Sequence, residues 1–222
     1  MKKQIIATTL SGLFLKHEPW DKAHILWFNE WARQLKDESI LEWIDKPNYF
    51  KGVDEVMKRI YPKLSDEERT KIARESYFDS VLEYIKQNPQ IRNEEIINYF
   101  KTLKTKYQIV LITTNTEQAI GRILKISGLE KLFDIIKTSL LKEKDDKKLV
   151  FVRFIKKHGK PIIYIGGSKK DSYDFCKQEK IPCIYANLEE DEEISGVETV
   201  HNLKELKDKI NFNINIKQQL NL

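Results

Sequence analysis

From residue 108 onward this sequence alternates short apolar runs with helical stretches, and few folds accommodate that order. Gln108–Thr113 reads as a buried strand, Thr116–Ser127 as a helix stopped by Gly128, and Phe133–Thr138 as a strand. Asp145–Lys157 reads as a helix ended by His158 and Gly159. A strand at 161–165, a helix at 171–179 and a strand over Ile181–Ala186 follow. Pro182 falls in the first turn of that last strand, where a missing N–H is tolerable. Strand–helix–strand repeats imply a parallel sheet with right-handed crossovers. With a first strand over 4–10, closed by Ser11-Gly12, the expectation is an α/β, Rossmann-like parallel sheet of about five strands flanked by helices.

Within this order the stretch 161–175 organises the rest. Ile162–Ile165 ends in Gly166 and Gly167, where the backbone turns at the strand's carboxyl end. Ser168 follows, and Asp171 or Ser172 is placed to N-cap the next helix. Strand, glycine turn and helix start form the place where open α/β sheets bind ligands.

Between 13 and 100 no second strand appears where an alternating chain would place one. Ile25, Trp27, Phe28, Trp31 and Leu35 cluster on one helix face, and Val53, Val56, Met57 and Ile60 suggest another helix. Ser65-Asp66-Glu67-Glu68 is a capping box opening a helix to about Gln87. The block is a helical insertion whose tryptophans form its core; an aromatic ligand box is the alternative. At the other end, Ile210, Phe212, Ile214 and Ile216 alternate with asparagines, the period of a half-buried strand.

The 222 residues suit one core domain and a substantial insertion, and 41% hydrophobic content allows a proper core. A net charge of +5 with mixed signs describes a lysine-rich solvated surface, so a nucleic-acid partner is not expected. No apolar run approaches the roughly 18 residues of a membrane span. The short run after Lys2 and Lys3 does not make a signal-peptide core. Cys176 and Cys183 fit a reducing compartment, and a cytoplasmic protein is expected.

A strand with a turn, a helical insertion directly after it, then four further strand–helix units: this layout resembles the haloacid dehalogenase superfamily over nearly the whole chain. Leu111-Ile112-Thr113-Thr114-Asn115 is similar to its second motif, an apolar strand ending in Thr-Asn. Residues 161–171 are similar to its fourth, an apolar strand ending in Gly-Asp-x-x-x-Asp. The resemblance implies a core of 1–12 and 101–210, a helical cap over 13–100 and a C-terminal strand or tail over 211–222. The family's first motif, strand-Asp-x-Asp-Gly-Thr, is where this sequence departs. Its first Asp attacks phosphorus and its second is the general acid/base. Here Thr8 is aligned with the nucleophile and Leu10 with the acid/base, and residues 2–17 contain no acid. Gly167 replaces the first Asp of the fourth motif and leaves only Asp171.

A threonine hydroxyl is a poor nucleophile without an adjacent base, and leucine transfers no proton. One carboxylate beside lysines is a poor magnesium site, so no metal or other cofactor is expected, with Asp171 as the weak candidate ligand. The family's third motif is a lysine; Lys142, Lys144, Lys147 and Lys148 are its candidates, with Lys142 preferred. What remains is a partial anion site: Thr8, Thr9, Thr114, Asn115, Lys142, Gly166, Ser168 and Asp171. Satisfied strand ends are the plainer reading of the same residues. Two functions follow. One is a pseudoenzyme that binds a phosphorylated ligand, a protein partner or a second copy through the cap or the 210–216 strand. The other is an active phosphohydrolase with a non-standard nucleophile, which would bring Mg²⁺ back.

Overall fold

The structure is a computed structural model that describes residues 3–46, 49–140, 146–167, 170–189 and 192–220. By internal contacts the chain divides into two units, residues 1–16 with 92–222, and residues 17–91.

The first unit is a parallel sheet with helices. Its elements are β1 (Ile5–Thr8), α4 (Glu94–Leu103), β2 (Gln108–Ile112), α5 (Glu117–Ile126), β3 (Ile135–Lys137), α6 (Lys147–His158), β4 (Ile163–Gly166), α7 (Lys170–Gln178), β5 (Cys183–Ala186), β6 (Glu198–Val200) and α8 (Leu203–Leu220). The strands lie in the order β3-β2-β1-β4-β5-β6, every pair parallel. The central strands β1, β2 and β4 are almost wholly buried, as expected of a parallel sheet covered on both faces. On one face Ile5, Ala7, Val110, Ile112 and Tyr164 pack with Phe151 and Phe154 of α6 and Tyr173 and Cys176 of α7. Each fully buried side chain of this size contributes about 1.5–3 kcal/mol.

The α/β class and parallel sheet follow the expectation, with one strand more than the five anticipated. β6 escaped because it is three residues long and buries only Val200. The period-two reading of 210–216 is corrected: α8 runs as one helix through this stretch. Leu206, Ile210 and Ile214 are buried at intervals of four, while Phe212 is 59% exposed. An i, i+2, i+4 pattern contains an i, i+4 stripe, and packing chose the stripe. Residues 210–216 thus offer no strand for edge pairing, and 211–220 continues α8.

The unit boundaries fall at 16/17 and 91/92, not at 12/13 and 100/101. Leu15 bridges to Arg92, and Asn93 donates from Nδ2 to the Leu13 carbonyl at 2.8 Å and from its backbone to Phe14. Phe14 packs edge-on against Phe100 and Phe133. These contacts tie residues 13–16 and all of α4 into the sheet unit.

The second unit holds α1 (Glu18–Leu35), α2 (Tyr49–Ile60) and α3 (Asp66–Gln87), with short 3-10 turns at Glu38–Trp43 and Pro89–Ile91. Both halves of the Ser65–Glu68 capping box are present. Trp27 is buried among Phe28, Val56, Met57 and Ala73, and its indole donates to Ser76 Oγ at 2.8 Å. Trp31 and Trp43 pack against the same cluster. Gly52 permits this, because a Cβ there would overlap the Trp43 ring. The aromatic block is therefore packing core.

Candidate functional site

The carboxyl ends of β1, β2 and β4 lie side by side in the sheet, so the loops after them define one place. Side chains alternate between the faces of a strand, and this sorts the residues after β1. Ala7 packs on the α6–α7 face, and Thr9 continues that face. Lys147, the first residue of α6, reaches back and donates from Nζ to Thr9 Oγ1 at 3.1 Å and to Tyr164 Oη at 3.4 Å. Its side chain is 7% exposed. Thr8 is fully buried, with its hydroxyl donating to the Val110 carbonyl at 2.9 Å. Leu10 is core.

Gly12 offers a second register for the first motif, one residue further on. Gly12 has φ +72°, a backbone that favours glycine. When Gly12 is matched to the motif's glycine, Thr9 and Ser11 occupy the places of the two carboxylates. Thr8 and Leu10 do not. The lysine beside Thr9 supports this register. In either frame no acid is present.

After β2, Thr113 and Thr116 serve the backbone. Thr113 Oγ1 accepts from the Asn115 amide at 3.1 Å, and Thr116 Oγ1 accepts from Ala119 and caps α5. Thr114 and Asn115 are half-buried at the same strand end. Of the candidate lysines, Lys147 is buried in the site and Lys148 is exposed. Lys142, Lys144 and Ser168 lie outside the described residues. Asp171 is exposed in the first turn of α7.

The glycines after β4 are set by close approach. A Cβ on Gly167 would overlap the carbonyl group of Gly12 and lie 2.6 Å from its Cα. The turns after β1 and β4 therefore touch backbone to backbone. A Cβ on Gly166 would lie 2.7 Å from the hydroxyl oxygens of both Tyr164 and Tyr173. Burial pushes both phenols well above their ordinary range, so both stay protonated. Burial also raises the Cys176 thiol, against a smaller opposing effect of the Lys147 charge. Cys176 and Cys183 are both free thiols.

Among the described residues no three His, Cys, Asp or Glu side chains gather as a metal cluster, and no helix is long and apolar enough to cross a membrane. Sequence reasoning missed Tyr164 and the placement of Lys147. A lysine spaced just before an apolar helix was visible, but nothing local separated it from its neighbours.

No protein-family model matches the sequence, and no curated protein matches it. Solved structures do. A haloacid dehalogenase-like hydrolase from Streptococcus pneumoniae superposes with a TM-score of 0.62 at 17% identity, covering 95% of this chain and 98% of that one. A HAD phosphatase from Thermococcus onnurineus gives 0.62 at 18%, with coverage of 95% and 98%. A β-phosphoglucomutase from Clostridium difficile gives 0.59 at 16%, with coverage of 96% and 99%. At such identities the likeness establishes the fold, which is haloacid dehalogenase-like.

Proposed function

We propose that this haloacid dehalogenase-like chain binds a phosphorylated small molecule at the ends of β1, β2 and β4 and does not carry out magnesium-dependent aspartyl-phosphate chemistry. One observation carries the reading: Lys147 is buried at the strand ends against the hydroxyl of Thr9, in the turn that the resemblance aligns with the family's first motif. Lys147 supplies the positive charge for a phosphoryl group, and Thr9, Thr114 and Asn115 supply neutral polar groups around it. Lys147 replaces Lys142 as the proposed anion-binding lysine.

Magnesium does not fit these residues. The ion wants one or two carboxylates in near-octahedral geometry. Thr9 and Ser11 offer neutral hydroxyls, Asp171 is exposed on α7, and the contact of Gly167 with Gly12 leaves no room for a carboxylate at 167. Without a carboxylate after β1 there is no group to form an aspartyl-phosphate.

One feature favours catalysis instead. A lysine amine 3.1 Å from a threonine hydroxyl is also the arrangement of a hydroxyl nucleophile with a lysine base. In that case Thr9 Oγ would attack phosphorus, its proton would pass to neutral Lys147, and the leaving alcoholate would take a proton from water. A phosphatase assay and calorimetric titration with inorganic phosphate separate the two. The binding reading expects no turnover above background with or without Mg²⁺, phosphate affinity indifferent to EDTA, and loss of that affinity in Lys147→Met. Turnover abolished by Thr9→Val, with a phosphorylated Thr9 found by mass spectrometry, would establish the enzyme.

A further inference from the structure

Two tyrosine hydroxyls sit behind Lys147, and they are not equivalent. Tyr164 on β4 and Tyr173 on α7 are both fully buried. The absence of a side chain at Gly166 is what leaves room for their hydroxyls. Strands of a covered parallel sheet ordinarily carry aliphatic side chains, and a buried phenol costs free energy when its hydroxyl is unsatisfied. Tyr164 Oη accepts from Lys147 Nζ and has the Ser172 and Thr9 hydroxyls within hydrogen-bonding reach. Among the described residues Tyr173 Oη has no hydrogen-bond partner.

The packing role of the two rings is the same. Tyr164 meets Phe151 edge-on at 5.1 Å and Tyr173 at 5.7 Å, and Tyr173 meets Tyr185 at 5.7 Å. Phenylalanine would fill either place. Packing therefore gives no reason for a hydroxyl at 164, whereas its polar neighbours Lys147, Ser172 and Thr9 do.

We propose that Tyr164 is the positioning residue for Lys147: its hydroxyl, with that of Thr9, holds the ammonium at the strand ends. The inference rests on Lys147 being the anion-binding lysine. An ammonium has three N–H bonds, and acceptors on β1 and β4 fix two of them. The rotamer freedom of a long lysine is then lost on folding and not again when the ligand arrives. Gly166 belongs to the same device, since a Cβ there would push both hydroxyls away.

The test compares Tyr164→Phe with Tyr173→Phe, which removes the same atom from the same aromatic cluster. Inorganic phosphate is titrated calorimetrically, and the Lys147 ammonium signal is followed by side-chain ¹H–¹⁵N NMR. Tyr164→Phe should weaken phosphate binding roughly tenfold, as befits one hydrogen bond to a charged group, and broaden the ammonium signal by freeing it to exchange. Tyr173→Phe should change neither. Equal effects of the two variants, or an unchanged signal in Tyr164→Phe, overturn the inference. If the wild type itself fails to bind phosphate, the anion-binding reading falls. The ammonium signal then decides this inference alone: sharp in the wild type and lost only in Tyr164→Phe supports it, and alike in all three overturns it.

Discussion

Gly167 shows how a single position restricts the chemistry of this site. Its backbone rests on that of Gly12, so a side chain there displaces a turn and not the end of a flexible neighbour. Gly167→Asp is expected to destabilise the protein by about 1–3 kcal/mol, the usual cost of overpacking, read from chemical denaturation. The triple variant Thr9→Asp, Ser11→Asp, Gly167→Asp should still show no Mg²⁺-dependent phosphatase turnover, because the added carboxylates do not converge while the two turns touch. Robust turnover in that variant would mean that the turns part easily. At this scale the sequence revealed that residues 2–17 hold no acid but not which threonine hydroxyl lies beside Lys147. Thr8 and Thr9 are the same residue type, and a one-residue shift exchanges the two faces of a strand. Nothing local told the threonine that bonds Val110 from the one that meets Lys147.

Among the elements, α3 and the first half of α8, Leu203–Ile210, were legible, and the second half of α8 was not. The capping box of α3 is a local device and needs only four residues to be seen. Ser65→Ala should lower stability by about 1 kcal/mol, with thermal melting as the measure. In α8 the buried stripe Leu206, Ile210 and Ile214 predicts that Ile210→Asp is strongly destabilising, by several kcal/mol. Phe212→Ser on the exposed side should stay within about 0.5 kcal/mol. A strand through this stretch would put both residues on one face and penalise both. The turn between α1 and α2 carries a pH signature. Hydrogen bonds from Ser39, then the Arg59 guanidinium at 2.5 Å, lower the Asp37 carboxyl to about 2. A depressed carboxyl stabilises the fold above its ordinary value of about 3.9, and that contribution is lost as pH falls through about 2. Asp37→Asn should therefore flatten the fall of the melting temperature between those two pH values and leave the rest of the profile unchanged.

For the whole molecule, the sequence by itself determined the class of fold. Alternating apolar runs and helical segments admit a parallel sheet and little else, because buried strands and amphipathic helices must cover one another. It also determined an insertion after the first strand and the absence of acids from residues 2–17, since composition and order are readable without geometry. The tertiary structure alone decided which side of β1 faces Lys147, that the glycines after β1 and β4 touch, and that 210–216 is helical. Each depends on contacts between residues far apart in the chain. Thr9 meets a lysine 138 positions away, and Gly12 meets Gly167 across the sheet. A local pattern fixes the period of an element. Which of its faces is buried, and against what, is settled only when the elements pack.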